Sequence, residues 1–195
     1  MIMKKIKITL LLVALLISSV SYAQFANSRS DNSSFNRKGE FGLPKMHLGI
    51  RAGVSSNSLG SPYDALVDLH LAVMGDLQII QNSPIYIESG LQLINRGFKY
   101  GDVQNALALD IPILGSYHFS LANNMFLQPF TGPYIGYNFE YEDVEYGLRL
   151  GCGFSWKKLY ANMGYDFGLN KLENYYDDYK TGTFFISVGW NFISK

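Results

Sequence analysis

Apolar and polar residues alternate with a two-residue period in eight stretches of this chain, and within them charged residues keep to one phase. In the stretch from Leu159 to Asn170, one phase carries Leu159, Ala161, Met163, Tyr165, Phe167 and Leu169. The other carries Tyr160, Asn162, Gly164, Asp166, Gly168 and Asn170. Successive residues of a β-strand point to opposite faces, so each stretch reads as a strand with one apolar wall. Strands are predicted at about 46–55, 68–80, 85–96, 105–118, 125–138, 144–156, 159–170 and 183–193. Eight is an even number that can close into a barrel.

The connections between these strands alternate in length. Asn82-Ser83, Ser120 to Asn124 and Lys157-Lys158 are short, whereas Ser56–Val67, Gly97–Gln104, Phe139–Asp143 and Lys171–Gly182 are longer and polar. Outer-membrane barrels pair short periplasmic turns with longer extracellular loops, and both chain ends here fall on the short-turn side.

Volume distinguishes such a barrel from a soluble calyx, which also alternates. The apolar set includes Leu48, Ile50, Leu71, Val73, Ile87, Leu91, Ile111, Ile135, Leu148, Trp156, Phe167, Val188, Trp190 and Phe192. An eight-strand barrel has an interior just wide enough for side chains or one small ligand, so this set must face outward. The opposite phase mixes glycines, among them Gly49, Gly53, Gly90, Gly136, Gly147 and Gly164, with Arg51, Asp76, Glu88, Arg96, Asp110, Glu145, Arg149 and Asp166. Charges withdrawn from water must pair, so these eight side chains are predicted to form a salt-bridge network with bound water in a plugged lumen. Aromatic residues extend the pattern: Tyr117, Trp156, Trp190 and Phe192 fall near one rim and Tyr137, Tyr146 and Tyr165 toward the other.

Ahead of the barrel, Lys4, Lys5 and Lys7 precede an apolar run from Ile8 to Ile17 and a Ser21-Tyr22-Ala23 cleavage-like site. Residues 1–23 therefore read as a signal peptide, 24–45 as a flexible periplasmic segment, and 46–195 as the barrel domain. The chain has 16 basic and 16 acidic residues, and loss of the three leader lysines leaves a mature charge of −3. That balance offers no footprint for nucleic acid.

Chemistry-bearing residues are sparse. Cys152 is the one cysteine and falls in the apolar phase, which makes it a small hydrophobe. His47, His70 and His118 lie in the lumen phase of separate strands, and Ser89 faces lipid without a base beside it in the sequence. No catalytic residue, cofactor or metal site is expected. The loop residues Tyr175, Tyr176, Asp177, Asp178 and Tyr179 combine acids with tyrosines, a composition suited to protein recognition.

Four segments carry a resemblance to a known family: Leu48–Val54 (LGIRAGV), Leu107–Leu114 (LALDIPIL), Gly132–Tyr137 (GPYIGY) and Tyr165–Leu172 (YDFGLNKL). Over about Leu48 to Phe192 the chain resembles the small, porin-like outer-membrane β-barrel proteins of Bacteroidetes that include the PorT type. It departs from them at Ser55, where an Asn is common, and in Leu91–Gly97. The resemblance implies an outer-membrane barrel and, for the PorT type, a part in protein secretion.

The expected protein is thus an all-β, eight-stranded antiparallel up-and-down transmembrane barrel in the cell outer membrane. It should be monomeric and surrounded by outer-membrane lipid and lipopolysaccharide, with a structural or binding role through its outer loops. A component of a secretion or assembly complex, with envelope proteins as partners, is one alternative; an enzyme on lipid or envelope substrates is another. The alternation of connections fixes a testable orientation: a tag inserted within 171–182 should be labelled on intact cells. Labelling only after the outer membrane is permeabilised would invert the topology.

The shortest turn also fixes a contact. With Lys157-Lys158 as a two-residue hairpin, Trp156 faces Leu159 and Arg149 faces Asp166 across the lumen wall, so the two should pair. Taken as an isolated pair, their joint replacement is expected to be near neutral.

Overall fold

The computed structural model describes residues 45–58, 64–80, 83–100, 102–170 and 180–194. The leader, nearly all of the 24–45 segment, and Tyr175, Tyr176, Asp177, Asp178 and Tyr179 lie outside the described residues.

The eleven strands are β1 (Met46–Ser58), β2 (Asp64–Gln78), β3 (Ile85–Asn95), β4 (Phe98–Tyr100), β5 (Asp102–Gln104), β6 (Leu107–Tyr117), β7 (Phe119–Ala122), β8 (Met125–Asn138), β9 (Asp143–Trp156), β10 (Leu159–Gly168) and β11 (Gly182–Ser194). Eight of them make the wall, in the order β1-β2-β3-β6-β8-β9-β10-β11, each antiparallel to its neighbours. β1 pairs with both β2 and β11, which closes the ring. At 10 to 15 residues, each wall strand is long enough for a tilted bilayer crossing. Among the described residues no helix is long and apolar enough to cross a membrane.

The wall is inverted relative to a soluble protein. Leu69 is 73% exposed and Val188 65%, whereas Asp110 and Asp166 show no exposed surface at all. Alternation along β9 and β10 is nearly unbroken, outward apolar residues being exposed and lumen residues buried. A soluble calyx would bury the apolar set, so the exterior belt belongs against hydrocarbon.

Three connections differ from the sequence expectation. Strand pairing continues through Ser56–Ser58 and from Asp64, leaving only 59–63 between β1 and β2. Gly97–Gln104 contains the β4–β5 hairpin, which adds to the long-loop end of β2 through Asp64↔Lys99 and Ala65↔Phe98. Ser120–Ala122 is strand rather than turn: β7 continues along β8, and the reversal shrinks to Asn123-Asn124. In the first and third cases strand pairing runs past the apolar belt into polar or exposed residues, so the hydrophobic period no longer marks the ends; in the second, strands of three residues are too short to show a period, although Phe98 is buried.

Two tight turns place a non-glycine residue at positive φ, Asn124 at 61° and Lys157 at 56°. The longer turn after β8 is held by Asn138, whose side-chain oxygen accepts from the Glu140 and Tyr141 amides at 3.0 and 3.3 Å. Pro112 has no amide to donate, and the β3–β6 ladder is interrupted beside it. There the Ser89 hydroxyl donates to the Pro112 carbonyl at 2.8 Å, which gives this outward serine a structural task.

Candidate functional site: the filled lumen

The hairpin at Lys157-Lys158 sets Trp156 against Leu159 and Arg149 against Asp166. The Arg149 guanidinium meets the carboxylate with two bonds, Nε to Oδ1 at 2.6 Å and Nη2 to Oδ2 at 2.8 Å. Such fork-to-fork contacts fix both partners in one plane. The pair is not isolated, because Arg96, just past the end of β3, reaches across the lumen. It bonds Asp110 on β6 at 2.5 Å and Asp166 on β10 at 3.0 Å, and lies 3.2 Å from Glu145 on β9. Arg149 also donates to Gln92 Oε1 at 2.7 Å and lies 3.6 Å from Asp110. Two guanidiniums and three carboxylates thus share one buried layer toward the long-loop end.

Uncharged lumen residues complete that layer. The Tyr134 and Thr181 hydroxyls donate to Glu145 at 2.7 and 2.5 Å, and Thr183 accepts from Arg96 at 3.0 Å. Thr183 donates in turn to Asn57 at 2.6 Å, while Asn57 donates to the Arg96 and Gly97 carbonyls at 2.5 and 3.0 Å. Sequence reasoning singled out charges and passed over Asn57, Gln92, Tyr134, Thr181 and Thr183. All occupy the lumen phase, and that phase was the available signal.

Nearer the short-turn end, Arg51 on β1 pairs with Glu88 on β3 and stacks over the Tyr160 ring with its guanidinium carbon 4.0 Å from the centroid. Asp76 finds its partner in a histidine, His47, at 2.6 Å. His118 stacks on Tyr86, ring centroids 3.7 Å apart, and His70 meets the Phe185 ring edge-on at 6.1 Å. The eight charged residues therefore fall into three groups: Arg96, Asp110, Glu145, Arg149 and Asp166 together, Arg51 with Glu88, and Asp76 with His47.

Between the polar layers the lumen is more apolar than its charges suggest. Leu114, Phe130 and Phe185 pack together inside it, and Tyr134 and Tyr160 are almost completely buried. These large groups need glycine opposite. A Cβ on Gly147 would collide with the Tyr134 ring, and one on Gly136 with the Asp110 carboxylate. One internal cavity among the described residues, lined by Arg51, His70, Glu88, Gln92, Arg149 and Phe185, measures about 10 Å³. That is at most the space of a single water, so at this level of the lumen side chains rather than solvent fill the interior. Among the described residues no cluster of three or more His, Cys, Asp or Glu side chains is placed to hold a metal ion.

The network revises the energetics of the Arg149–Asp166 pair. Breaking a buried pair costs about 3 to 5 kcal/mol through the charge left uncompensated. Loss of Arg149 leaves Arg96 facing three carboxylates, whereas loss of Asp166 leaves two guanidiniums facing two. Arg149→Met should therefore lower the stability of the detergent-folded barrel more than Asp166→Asn. The double variant should lose less than the sum, yet stay below wild type because Arg96 and Gln92 each lose a partner. Equal single losses, or strict additivity in thermal unfolding, would refute the shared network.

No family model matches the chain, and no curated protein matches it. Solved structures of similar shape include Ail, the attachment invasion locus protein of Yersinia pestis, at 15% identity and TM-score 0.45 over 77% of this chain and 99% of that one. The outer membrane protein OprG from Pseudomonas aeruginosa is 14% identical with TM-score 0.44 over 77% and 98%. Neisserial surface protein A is 11% identical with TM-score 0.48 over 76% and 97%. At these identities the likeness concerns fold alone. On its own geometry, with a closed antiparallel wall, an exposed apolar belt and charges inside, the chain is an outer-membrane β-barrel protein.

Proposed function

We propose that the barrel is a rigid support with a structural or binding role carried out by its extracellular loops. The observation that carries this reading is the packed lumen: among the described residues buried rings and ion pairs fill it, and the cavity beside Arg51 and Arg149 holds only about 10 Å³. Its chemistry is also turned inward, since the buried arginines and carboxylates are consumed by one another. The groups this reading assigns to recognition are Glu140 and Asp143 at the long-loop rim and, from the sequence, the tyrosines and acids of 171–179. The PorT-type resemblance supports a second reading, a component of a secretion complex, in which the same rigid wall would contact envelope proteins.

Two measurements test the proposal. In planar bilayers the pure protein should give no stable porin-sized conductance, and reproducible large steps would sink the plugged-lumen basis. Crosslinking on intact cells, followed by recovery of a tagged barrel, should capture a surface ligand with wild type and lose it when residues 172–179 are replaced by a glycine-serine linker. Recovery of secretion components unaffected by that replacement would favour the second reading. A changed lipid A mass in a deletion strain would point instead to an enzyme.

A further inference from the structure

The internal cavity of about 10 Å³ is lined by members of two of the three charged groups of the lumen. Arg51 and Glu88 border it from one group and Arg149 from the other. Part of its wall is apolar, with Leu114, Phe130 and Phe185 packed together there. On the polar part, two atoms find no hydrogen-bond partner in the protein, Arg51 Nε and His70 Nδ1. Both side chains are more than nine-tenths buried, at 7% and 2% exposure. Leaving such atoms unbonded in a medium of low polarity is costly, so each needs a partner.

Register explains why the two atoms are left over at one place. Across the β1–β2 ladder His70 faces Gly53, which has no side chain to offer it. Arg51, one inward position nearer the short-turn end, faces Ala72, whose methyl group cannot accept a bond. The guanidinium is also held where it is, since Nη1 is committed to Glu88 and its face lies over the Tyr160 ring. Phe185 meets the His70 ring edge-on at 6.1 Å. Two small residues on the wall thus leave space beside two orphaned polar atoms. A buried water needs about 10 to 15 Å³ and two to four polar partners, and this cavity supplies both.

We propose that the cavity is a binding site for one ordered water, which bridges the Arg51–Glu88 pair to the Arg149 layer. A guanidinium Nε–H only donates, so the water oxygen accepts from Arg51 and keeps both hydrogens to give. One goes to His70 Nδ1, which fixes that ring as the neutral tautomer with its proton on Nε2. The other goes to Gln92 Oε1, also on the cavity wall, which already accepts from Arg149 Nη1 at 2.7 Å and has a second lone pair. Arg149 is bonded in turn to Asp166. Through this one water, two groups of charges that share no direct ion pair become a single network across the lumen.

The test is a crystal structure of the detergent-folded barrel at a resolution that shows ordered water, together with ring-nitrogen NMR of His70. Wild type should show one water peak about 2.7 to 3.2 Å from each of Arg51 Nε, His70 Nδ1 and Gln92 Oε1, and His70 should carry its proton on Nε2. His70→Phe removes the acceptor and should lose the peak. His70→Asn, whose Oδ1 can stand where Nδ1 stood, should keep it. A dry cavity in wild type, a peak out of reach of Gln92, or a proton on His70 Nδ1 overturns the bridge. So does a peak that stays in place in His70→Phe. Should that variant fail to fold, the wild-type map and the His70 tautomer decide the question by themselves.

Discussion

A backbone that crosses hydrocarbon must satisfy every N–H and C=O within the protein, and a sheet can do so only by closing on itself. Here closure rests on β1, which pairs along its length with β2 on one side and β11 on the other. Once eight strands are closed, the diameter is fixed and the lumen is narrow. Every side chain of the inward phase must then fit that volume and find a partner in it. The ion pairs, the ring stacking and the glycines opposite large residues all follow from this one limit on space.

The limit also explains why the interior combines charge with bulk. Replacing the Arg96 layer with apolar side chains could be as stable, since burying ions costs about as much as their pairing returns. What the layer adds is cross-connection. Arg96 ties β3 to its neighbour β6 and also to β9 and β10, which are not its neighbours in the wall, and through Thr183 and Asn57 it reaches β11 and β1. A ladder fixes only adjacent strands, so such spokes hold the barrel round and fix its register from inside.

Legibility in the sequence divides along the same line. Residues that act on adjacent strands were readable: the two-residue period placed the faces, and the Lys157-Lys158 turn placed Arg149 against Asp166. Contacts across the lumen were not. The partners of Arg96 depend on strand tilt and stagger, which no local pattern encodes. His47 as the partner of Asp76 was hidden differently, because a histidine in a lumen phase reads as lining until the β1–β2 register sets the two opposite each other. The β4–β5 hairpin escaped because its strands are three residues each, too short for a period to show.

The filled interior has a further consequence for how the two faces of the wall relate. Gly189 and Gly53 face inward on strands whose neighbouring outward residues, Val188 and Ala52, shape the lipid-facing side. A Cβ on Gly189 would strike the Arg51 side chain, and one on Gly53 the β11 backbone at Ser187. Inward size is thus dictated by the packing of Arg51 and its Glu88 and Tyr160 partners, and it is met locally by glycine. Outward size is free of that demand, since alternate residues never share a face. The alanines at 52 and 161 are therefore not required by the lumen; their small size has consequences only on the membrane side of the wall, where both line an apolar hollow.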